Sequence, residues 1–177
     1  MAKKTLKINL FDSKSLQKAI DEINRYKEDL PRKCDLFIRK LSEVGINVVH
    51  ATMQNVDLGH DEWNYSVESI AESSGITAKE KIVLSGKRIL YVEFGAGVIH
   101  SQPQNPKAKE LGYGVGTNSP KGWAWNMTKY GGGWWYTDER SGESVHTKGN
   151  PAYMPLYKSS VEIRRQILTI AKEVFGQ

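Results

Sequence analysis

The stretch from residue 112 to residue 136 constrains the fold most, because glycine and aromatic residues dominate it. Residues 112–133 contain seven glycines, and glycine at this density is incompatible with a regular helix. Large aromatic side chains are interleaved with these glycines or follow them directly: Trp123, Trp125, Tyr130, Trp134, Trp135 and Tyr136. Aromatic surface of this extent is rarely left uncovered in a soluble protein, so we expect another part of the chain or another molecule to cover it.

Two binding functions and one structural role fit these six aromatic residues, and the sequence leaves all three open. They can form a stacking surface for sugar or single-stranded nucleic acid. They can form a protein–protein interface, where Trp and Tyr are enriched. They can also form a small core beneath a long loop. We treat all six as candidate interface residues.

The N-terminal third of the chain predicts helices with apolar stripes. Alternation over Thr5–Phe11 predicts a short strand. Asp12 or Ser13 can then cap a helix whose apolar residues recur at helical spacing. Pro31 predicts a break and the start of a second helix that ends near Gln54. In that second helix Gly45 interrupts the pattern, which is typical of a close approach by a packed neighbour.

Two hairpins and a last helix are predicted downstream. Alternation predicts strands at Trp63–Ala71 and Lys79–Ser85, and a β-prone run at Arg88–Phe94 predicts a third strand of the same meander. Trp134–Thr137 and Glu143–Thr147 predict a second hairpin. Pro155 begins a helix that runs to about Phe175.

These elements together predict an α+β fold. A small antiparallel sheet is packed by two N-terminal helices and one C-terminal helix. The length of 177 residues fits a single domain over 1–177. The Gly/Trp-rich segment then forms a long insertion at approximately 96–153.

Composition excludes several classes of protein. The single cysteine, Cys34, excludes an internal disulfide framework and a thiolate-rich zinc site, and its place on an apolar helix face favours a buried structural thiol. No stretch reaches the ~18 uncharged apolar residues of a membrane span, and the basic N-terminus lacks the apolar region of a secretory signal. We predict no membrane partner and no cofactor.

The charge is unevenly distributed. The net charge is +5, and residues 1–40 hold 11 Lys and Arg against 6 Asp and Glu, whereas the rest of the chain is balanced at 14 and 14. A basic end can face nucleic acid or an acidic protein rim. A solvated helix face explains the same charges and is the favoured interpretation.

Catalytic motifs are weak. The four histidines lack metal-ligand spacing, and Gly95-Ala96-Gly97 lacks the third glycine and the helix start of a dinucleotide site. His100, His146 and Glu93 could supply acid–base chemistry if the fold brought them together. The favoured alternative is that these three residues are ordinary polar residues in loops, with their hydrogen bonds made locally, because nothing in the sequence fixes their geometry. We predict no catalytic, cofactor-binding or metal-binding residue.

Two blocks of the sequence stand out, Ile89-Leu90-Tyr91-Val92-Glu93-Phe94-Gly95 and Asn150-Pro151-Ala152-Tyr153-Met154-Pro155-Leu156-Tyr157-Lys158-Ser159-Ser160. Together they resemble a tailed-bacteriophage structural family, the siphophage neck, head–tail joining or tail-component proteins. The resemblance spans most of residues 30–175. The chain departs from the family in the long, Trp-rich insertion from about His100 to Gly149.

The resemblance implies a structural virion protein and not an enzyme. Such a protein is a ring-forming homo-oligomer that joins the head connector to the tail, assembled in the bacterial host cytoplasm. Its partners are copies of itself and other neck, connector or tail-tube proteins, with nonspecific contact to DNA in the conduit. The resemblance also implies that Phe94 lies in the core, Gly95 turns the chain and Glu93 pairs with a cation. The alternatives are a phage-borne hydrolase acting on cell wall or nucleic acid, and a basic DNA-binding module.

Overall fold

The structure is a computed structural model in which residues 8–9, 11–57, 64–72, 77–96, 104–113, 134–138, 141–147 and 149–176 are described. Its elements in chain order are α1 (Ser13–Met53), β1 (Tyr65–Ala71), β2 (Glu80–Gly86), α2 (Ile89–Phe94), β3 (Trp134–Thr137), β4 (Ser144–Thr147) and α3 (Pro155–Phe175). The predicted α+β class is confirmed. The predicted second hairpin and the helix beginning at Pro155 are confirmed as well.

The N-terminal helical region is one helix, so the predicted break at Pro31 is wrong. Pro31 lies inside the 41-residue α1. A proline within a helix costs about 3 kcal/mol through the lost hydrogen bond and a clash with the preceding turn. The apolar spacing keeps the same phase on both sides of Pro31, from Leu30 to Cys34. A single helix therefore holds all these residues on one face, which a break would misalign.

The start of α1 confirms one of the two predicted caps. The backbone N–H of Lys14 donates to Oδ1 of Asp12 at 3.1 Å, which is the bond of an N-cap residue. Before it, Asn9 forms a turn, since its side-chain oxygen accepts the N–H of Phe11. Ile8, Asn9 and Phe11 are not in a strand. The remainder of the predicted strand at Thr5–Phe11 lies outside the described residues.

The segment predicted as a third strand is the short helix α2, so the predicted meander reduces to two strands. Its buried residues are Ile89, Val92 and Glu93, and steps of three and four residues are helical spacing. The β-branched and aromatic residues of this run had favoured a strand. Strand propensity reflects packing on a sheet face more than a backbone preference, and tertiary packing overrides it here.

The strands form two separate pairs. β1 pairs with β2, and β3 pairs with β4. The β3–β4 pair is antiparallel, with a register that runs from Trp134 opposite Thr147 to Thr137 opposite Ser144. Asp138 closes the turn between them, because its carboxylate accepts the N–H and the hydroxyl of Ser141 at 3.1 and 2.8 Å.

Backbone proximity divides the chain into two compact units. One consists of Met1–Asn47, Val67–Val83 and Ser159–Gln177, and the other of Val48–Ser66 and Leu84–Lys158. The single domain expected over 1–177 stays a prediction. Most of the insertion expected at 96–153 lies outside the described residues.

The first unit has its core between α1 and α3. Leu41, Ile170 and Val174 are buried there, and the rings of Phe37 and Phe175 pack at their edge with centroids 5.6 Å apart. Gly45 permits a close approach in this unit. A Cβ added to it would lie 2.5 Å from Cδ1 of Ile82 and 2.8 Å from Cδ1 of Ile163. The predicted role of Gly45 is confirmed.

Candidate functional site

The best-defined polar cluster lies in the second unit and is centred on Glu93. We call it the Glu93 joint, and it consists of Glu93 on α2, Asn105, and the first backbone N–H groups of α3 at Leu156 and Tyr157. Glu93 and Asn105 are 5% and 4% exposed. A buried carboxylate needs partners for both oxygens, and the joint supplies them.

Three N–H donors surround the Glu93 carboxylate. Oε1 accepts the amide of Asn105 at 2.7 Å and the backbone N–H of Tyr157 at 3.0 Å. Oε2 accepts the backbone N–H of Leu156 at 2.9 Å. Asn105 is itself held by its own turn, since its side-chain oxygen accepts the N–H of Lys107 at 2.9 Å.

The start of α3 explains why a carboxylate is required here. The first helical residue is Pro155, which has no N–H. Met154 precedes it with a left-handed φ of 60° and has no side-chain oxygen to serve as a cap. The first free donors of α3 are thus those of Leu156 and Tyr157, and Glu93 caps them from another element. Negative charge at a helix N-terminus is also favoured by the helix dipole.

Burial raises the pKa of Glu93 above its ordinary value, because desolvation penalises the charged form. The N–H donors of Leu156, Tyr157 and Asn105 oppose this rise, and the charge of Lys158 opposes it at longer range. The expectation that Glu93 pairs with a cation is therefore wrong for its direct contacts. N–H groups occupy those positions, because α3 presents unpaired donors there.

Backbone bonds reinforce the joint on both sides of Glu93. Ala96 and Asn150 form an isolated antiparallel bridge, with bonds of 2.9 and 3.1 Å. The N–H of Tyr153 donates to the carbonyl of Val92 at 2.8 Å. The side-chain amide of Asn150 donates to the carbonyl of Tyr91 at 2.7 Å. These hydrogen bonds join residues 91–96, at the end of α2, to residues 150–153, which lead into α3.

Gly95 turns the chain between α2 and this bridge, as the resemblance implied. Its φ of 76° and ψ of 171° fall in a region that is essentially restricted to glycine. A Cβ at this position would lie 3.0 Å from the backbone nitrogen of Ala152 and 3.1 Å from the carbonyl oxygen of Asn150. Both the conformation and the close approach of the chain therefore require glycine.

Phe94 is half-buried and stacks on Tyr113, with ring centroids 4.2 Å apart and planes 1° apart. The resemblance implied a core position for Phe94. The core position is wrong, because the buried residues of α2 are Ile89, Val92 and Glu93. Tyr113 belongs to the segment that follows Asn105. The stack therefore fastens this segment to α2 beside the joint.

The candidate interface residues are only partly described. Trp123, Trp125 and Tyr130 lie outside the described residues. The backbones of Trp134 and Tyr136 lie in β3.

Among the six candidate interface residues, Trp135 is the one whose side chain the structure describes. It is 60% exposed, and its ring lies 5.1 Å from that of His146, its cross-strand partner. A large aromatic side chain with this exposure is available for contact with another molecule.

The hypothesis of acid–base chemistry gains no geometry from the described residues. Three N–H donors occupy the Glu93 carboxylate, whereas His146 packs against Trp135. His100 lies outside the described residues. Cys34 is half-buried with a free thiol. In the parts of the chain that the structure describes, no group of three or more His, Cys, Asp or Glu is placed to hold a metal ion.

Sequence reasoning missed two features. The first is the contact of Asn105 with the Glu93 carboxylate. The sequence around Asn105 shows only that it precedes a turn. The other feature is the exposure of the apolar side chains in the first half of α1, which we had expected to be buried on the sheet.

Among the described helices, none is both long enough and apolar enough to span a membrane.

Comparison of this chain with protein-family models, with curated proteins and with solved structures found no match.

Proposed function

We propose that this chain is a non-enzymatic subunit of the neck of a tailed bacteriophage, a ring-forming tail-completion component that joins the head connector to the tail. The proposal begins from the resemblance of two sequence blocks, residues 89–95 and residues 150–160. Its site in the assembled virion, its copies in the ring, and its contacts with connector and tail-tube proteins follow from that resemblance.

The observation that carries the proposal is the direct contact between these two blocks. Glu93 in the first block accepts the N–H groups of Leu156 and Tyr157 in the second, and these partners are 63 and 64 residues away along the chain. Gly95 lies against the backbone of the second block. The residues behind the resemblance therefore fix one structural joint, as a scaffold motif does. N–H donors from within the protein engage both oxygens of the Glu93 carboxylate.

The exposed side chain of Trp135 on the β3–β4 hairpin supports a role in assembly. A ring needs heterologous contacts in which two different surfaces of each subunit meet. Trp135 provides exposed aromatic surface at a cross-strand pair in β3–β4. Buried Trp and Tyr residues dominate the binding energy of many such interfaces.

Native mass spectrometry tests this proposal. The purified chain is measured alone, and then mixed with the connector and tail-tube proteins encoded in the same genome. We expect a closed ring of one stoichiometry and binding to at least one of these partners. Trp135→Ala should weaken assembly by about thirtyfold, which corresponds to roughly 2 kcal/mol for an aromatic hot spot.

The matched control is Leu168→Ala, since Leu168 is an exposed apolar residue (71%) on α3. It should leave assembly unchanged. A chain that stays monomeric alone and with both partners would contradict the proposal. Hydrolysis of cell-wall or nucleic-acid polymer by the purified chain would also contradict it.

A further inference from the structure

The chain contains two Asn–Pro peptide bonds, Asn105–Pro106 and Asn150–Pro151. At such a bond the side-chain amide nitrogen of the asparagine can attack the carbonyl carbon of its own residue and expel the proline, which closes a cyclic imide. The competing reaction, in which the next backbone nitrogen attacks the side chain, needs an N–H that proline lacks. Imide formation at these two asparagines therefore cuts the chain.

The side-chain amide of Asn105 has a base in contact with its nitrogen. Nδ2 of Asn105 donates to Oε1 of Glu93 at 2.7 Å, a distance at which a carboxylate can take a proton. Oδ1 of Asn105 accepts the backbone N–H of Lys107 at 2.9 Å. An amide nitrogen is a weak nucleophile until it loses a proton. Glu93 can remove that proton, and the N–H of Lys107 stabilises the negative charge that spreads onto Oδ1.

The carbonyl group of Asn105, which the nitrogen would attack, is polarised as well. Its oxygen accepts the backbone N–H of Ala108 at 2.9 Å, and this donor stabilises the oxyanion that forms during the attack. Asn105 and Ala108 are buried, so little water competes for these hydrogen bonds. A nucleophile, a base and an oxyanion donor therefore surround one peptide bond, and Pro106 on its far side is exposed.

The second Asn–Pro bond lacks the base. Nδ2 of Asn150 donates to the carbonyl oxygens of Tyr91 and Pro151, at 2.7 and 3.1 Å. A carbonyl oxygen is a neutral acceptor and does not hold a proton at neutral pH. The backbone oxygen of Asn150 accepts the N–H of Ala96 at 2.9 Å, so its carbonyl group is polarised like that of Asn105. The chain thus carries its own control, which differs in the carboxylate.

We infer that this chain cleaves its own backbone between Asn105 and Pro106, with Glu93 as the general base. Glu93 takes a proton from Nδ2 of Asn105 while Nδ2 forms a bond to the carbonyl carbon of the same residue. The C–N bond to Pro106 then breaks, and the prolyl nitrogen keeps the electron pair and takes the proton that Glu93 removed. The products are a fragment 1–105 that ends in a cyclic imide and a fragment 106–177 that begins with a free amine. No oxidant, reductant or other reactant is consumed.

The fold holds the two fragments together after the cut. Glu93 of the first fragment accepts the N–H groups of Leu156 and Tyr157 of the second. In the first unit, Leu41 of the first fragment lies in one core with Ile170 of the second. The reaction therefore happens once in each chain and changes its covalent structure while these contacts remain.

This inference goes beyond the proposed function and does not rest on it, since a structural subunit can cut itself once without acting as an enzyme. A ring of intact chains would refute the self-cleavage alone. A cut chain that stays monomeric with its partners would contradict the proposed function alone.

Denaturing mass spectrometry of the purified, folded full-length chain follows the reaction at neutral pH. We expect fragments 1–105 and 106–177 to accumulate with time, without cleavage at Asn150–Pro151. The first fragment should be lighter than its free acid by one water, because it ends in an imide. Native mass spectrometry of the same sample should show the two fragments bound together.

Two substitutions separate the nucleophile from the base. Asn105→Ala removes the attacking nitrogen and should abolish cleavage. Glu93→Gln removes the base and should slow cleavage about a hundredfold. The matched control is Glu110→Gln, which breaks only the exposed ion pair with Lys107 and should leave the rate unchanged.

The wild type in urea provides a second comparison, because Glu93→Gln also weakens the fold. Unfolding separates Glu93 from Asn105 and should stop the accumulation of fragments. Circular dichroism verifies that the three variants remain folded in buffer.

Four results would overturn the inference. They are a folded wild type that stays intact, equal cleavage at both Asn–Pro bonds, cleavage that is as fast in urea or in Glu93→Gln as in the folded wild type, and a first fragment that ends in a free acid from the earliest time, which indicates a contaminating protease.

Discussion

Replacing Glu93 with Gln keeps the shape of the side chain but removes one hydrogen-bond acceptor from the Glu93 joint. In the wild type Oε1 accepts from Asn105 and Tyr157, and Oε2 accepts from Leu156. If the amide oxygen takes the place of Oε1, the amide nitrogen faces the N–H of Leu156. One helix donor is then left unpaired, and the opposite orientation leaves two donors unpaired.

The magnitude follows from the better of these two orientations. An unpaired buried donor costs about 1–3 kcal/mol. The neutral amide avoids the desolvation that raises the pKa of Glu93, and this partly offsets the loss. We expect the free energy of unfolding at pH 7 to fall by about 1–2 kcal/mol in Glu93→Gln.

Urea denaturation measures the free-energy change, and amide hydrogen exchange locates it. The N–H groups of Leu156 and Tyr157 should lose protection. The control is Glu110→Gln, because Glu110 makes an exposed ion pair with Lys107. It should change stability by no more than about 0.5 kcal/mol. Equal or greater stability of Glu93→Gln, with unchanged protection at Leu156 and Tyr157, would refute the capping role of Glu93.

Three further predictions concern backbone space and pH. Gly45→Ala should destabilise the first unit by about 1–2 kcal/mol, because displacing neighbouring side chains outweighs the gain in helix propensity. Denaturation compared with Asn47→Ala, at an exposed position of α1, measures it. Gly95→Ala should cost about 2–3 kcal/mol through its backbone conformation and the approach of Ala152, and an unchanged midpoint would contradict this. Because the pKa of Glu93 is raised on folding, the native state binds more protons than the unfolded state between the ordinary value of 4.5 and the raised one. Wild-type stability should therefore decline as pH rises through that window, and denaturation at several pH values should show that Glu93→Gln lacks this component.

Capping residues and alternating polarity predicted the start of α1, the start of α3 and the β3–β4 hairpin, because each of these depends only on residues close by in the sequence. Asp12 caps α1 because its carboxylate reaches an N–H two residues away. Pro155 begins α3 because proline loses nothing at a first helical position. The hairpin of β3 and β4 followed from alternation around a turn.

Two segments were predicted incorrectly, α2 and the middle of α1. The run Ile89–Phe94 has β-prone side chains, yet it forms α2, where Val92 and Glu93 are buried together. Pro31 would end an isolated helix, yet α1 continues through it. In Ile89–Phe94 a local strand preference competed with burial of the segment, and packing prevailed. In α1 the apolar residues on both sides of Pro31 keep one helical phase, and the helix tolerates the proline.

The sequence by itself determined the α+β class, the start of α1, the second hairpin and the extent of α3, because periodicity and capping act within a few residues. Tertiary structure alone decided the role of Glu93. Its partners lie 12, 63 and 64 residues away, and no pattern around position 93 encodes them. The carboxylate is buried because α3 begins with donors that its own sequence cannot satisfy, and only the folded chain brings that need and the acceptor together.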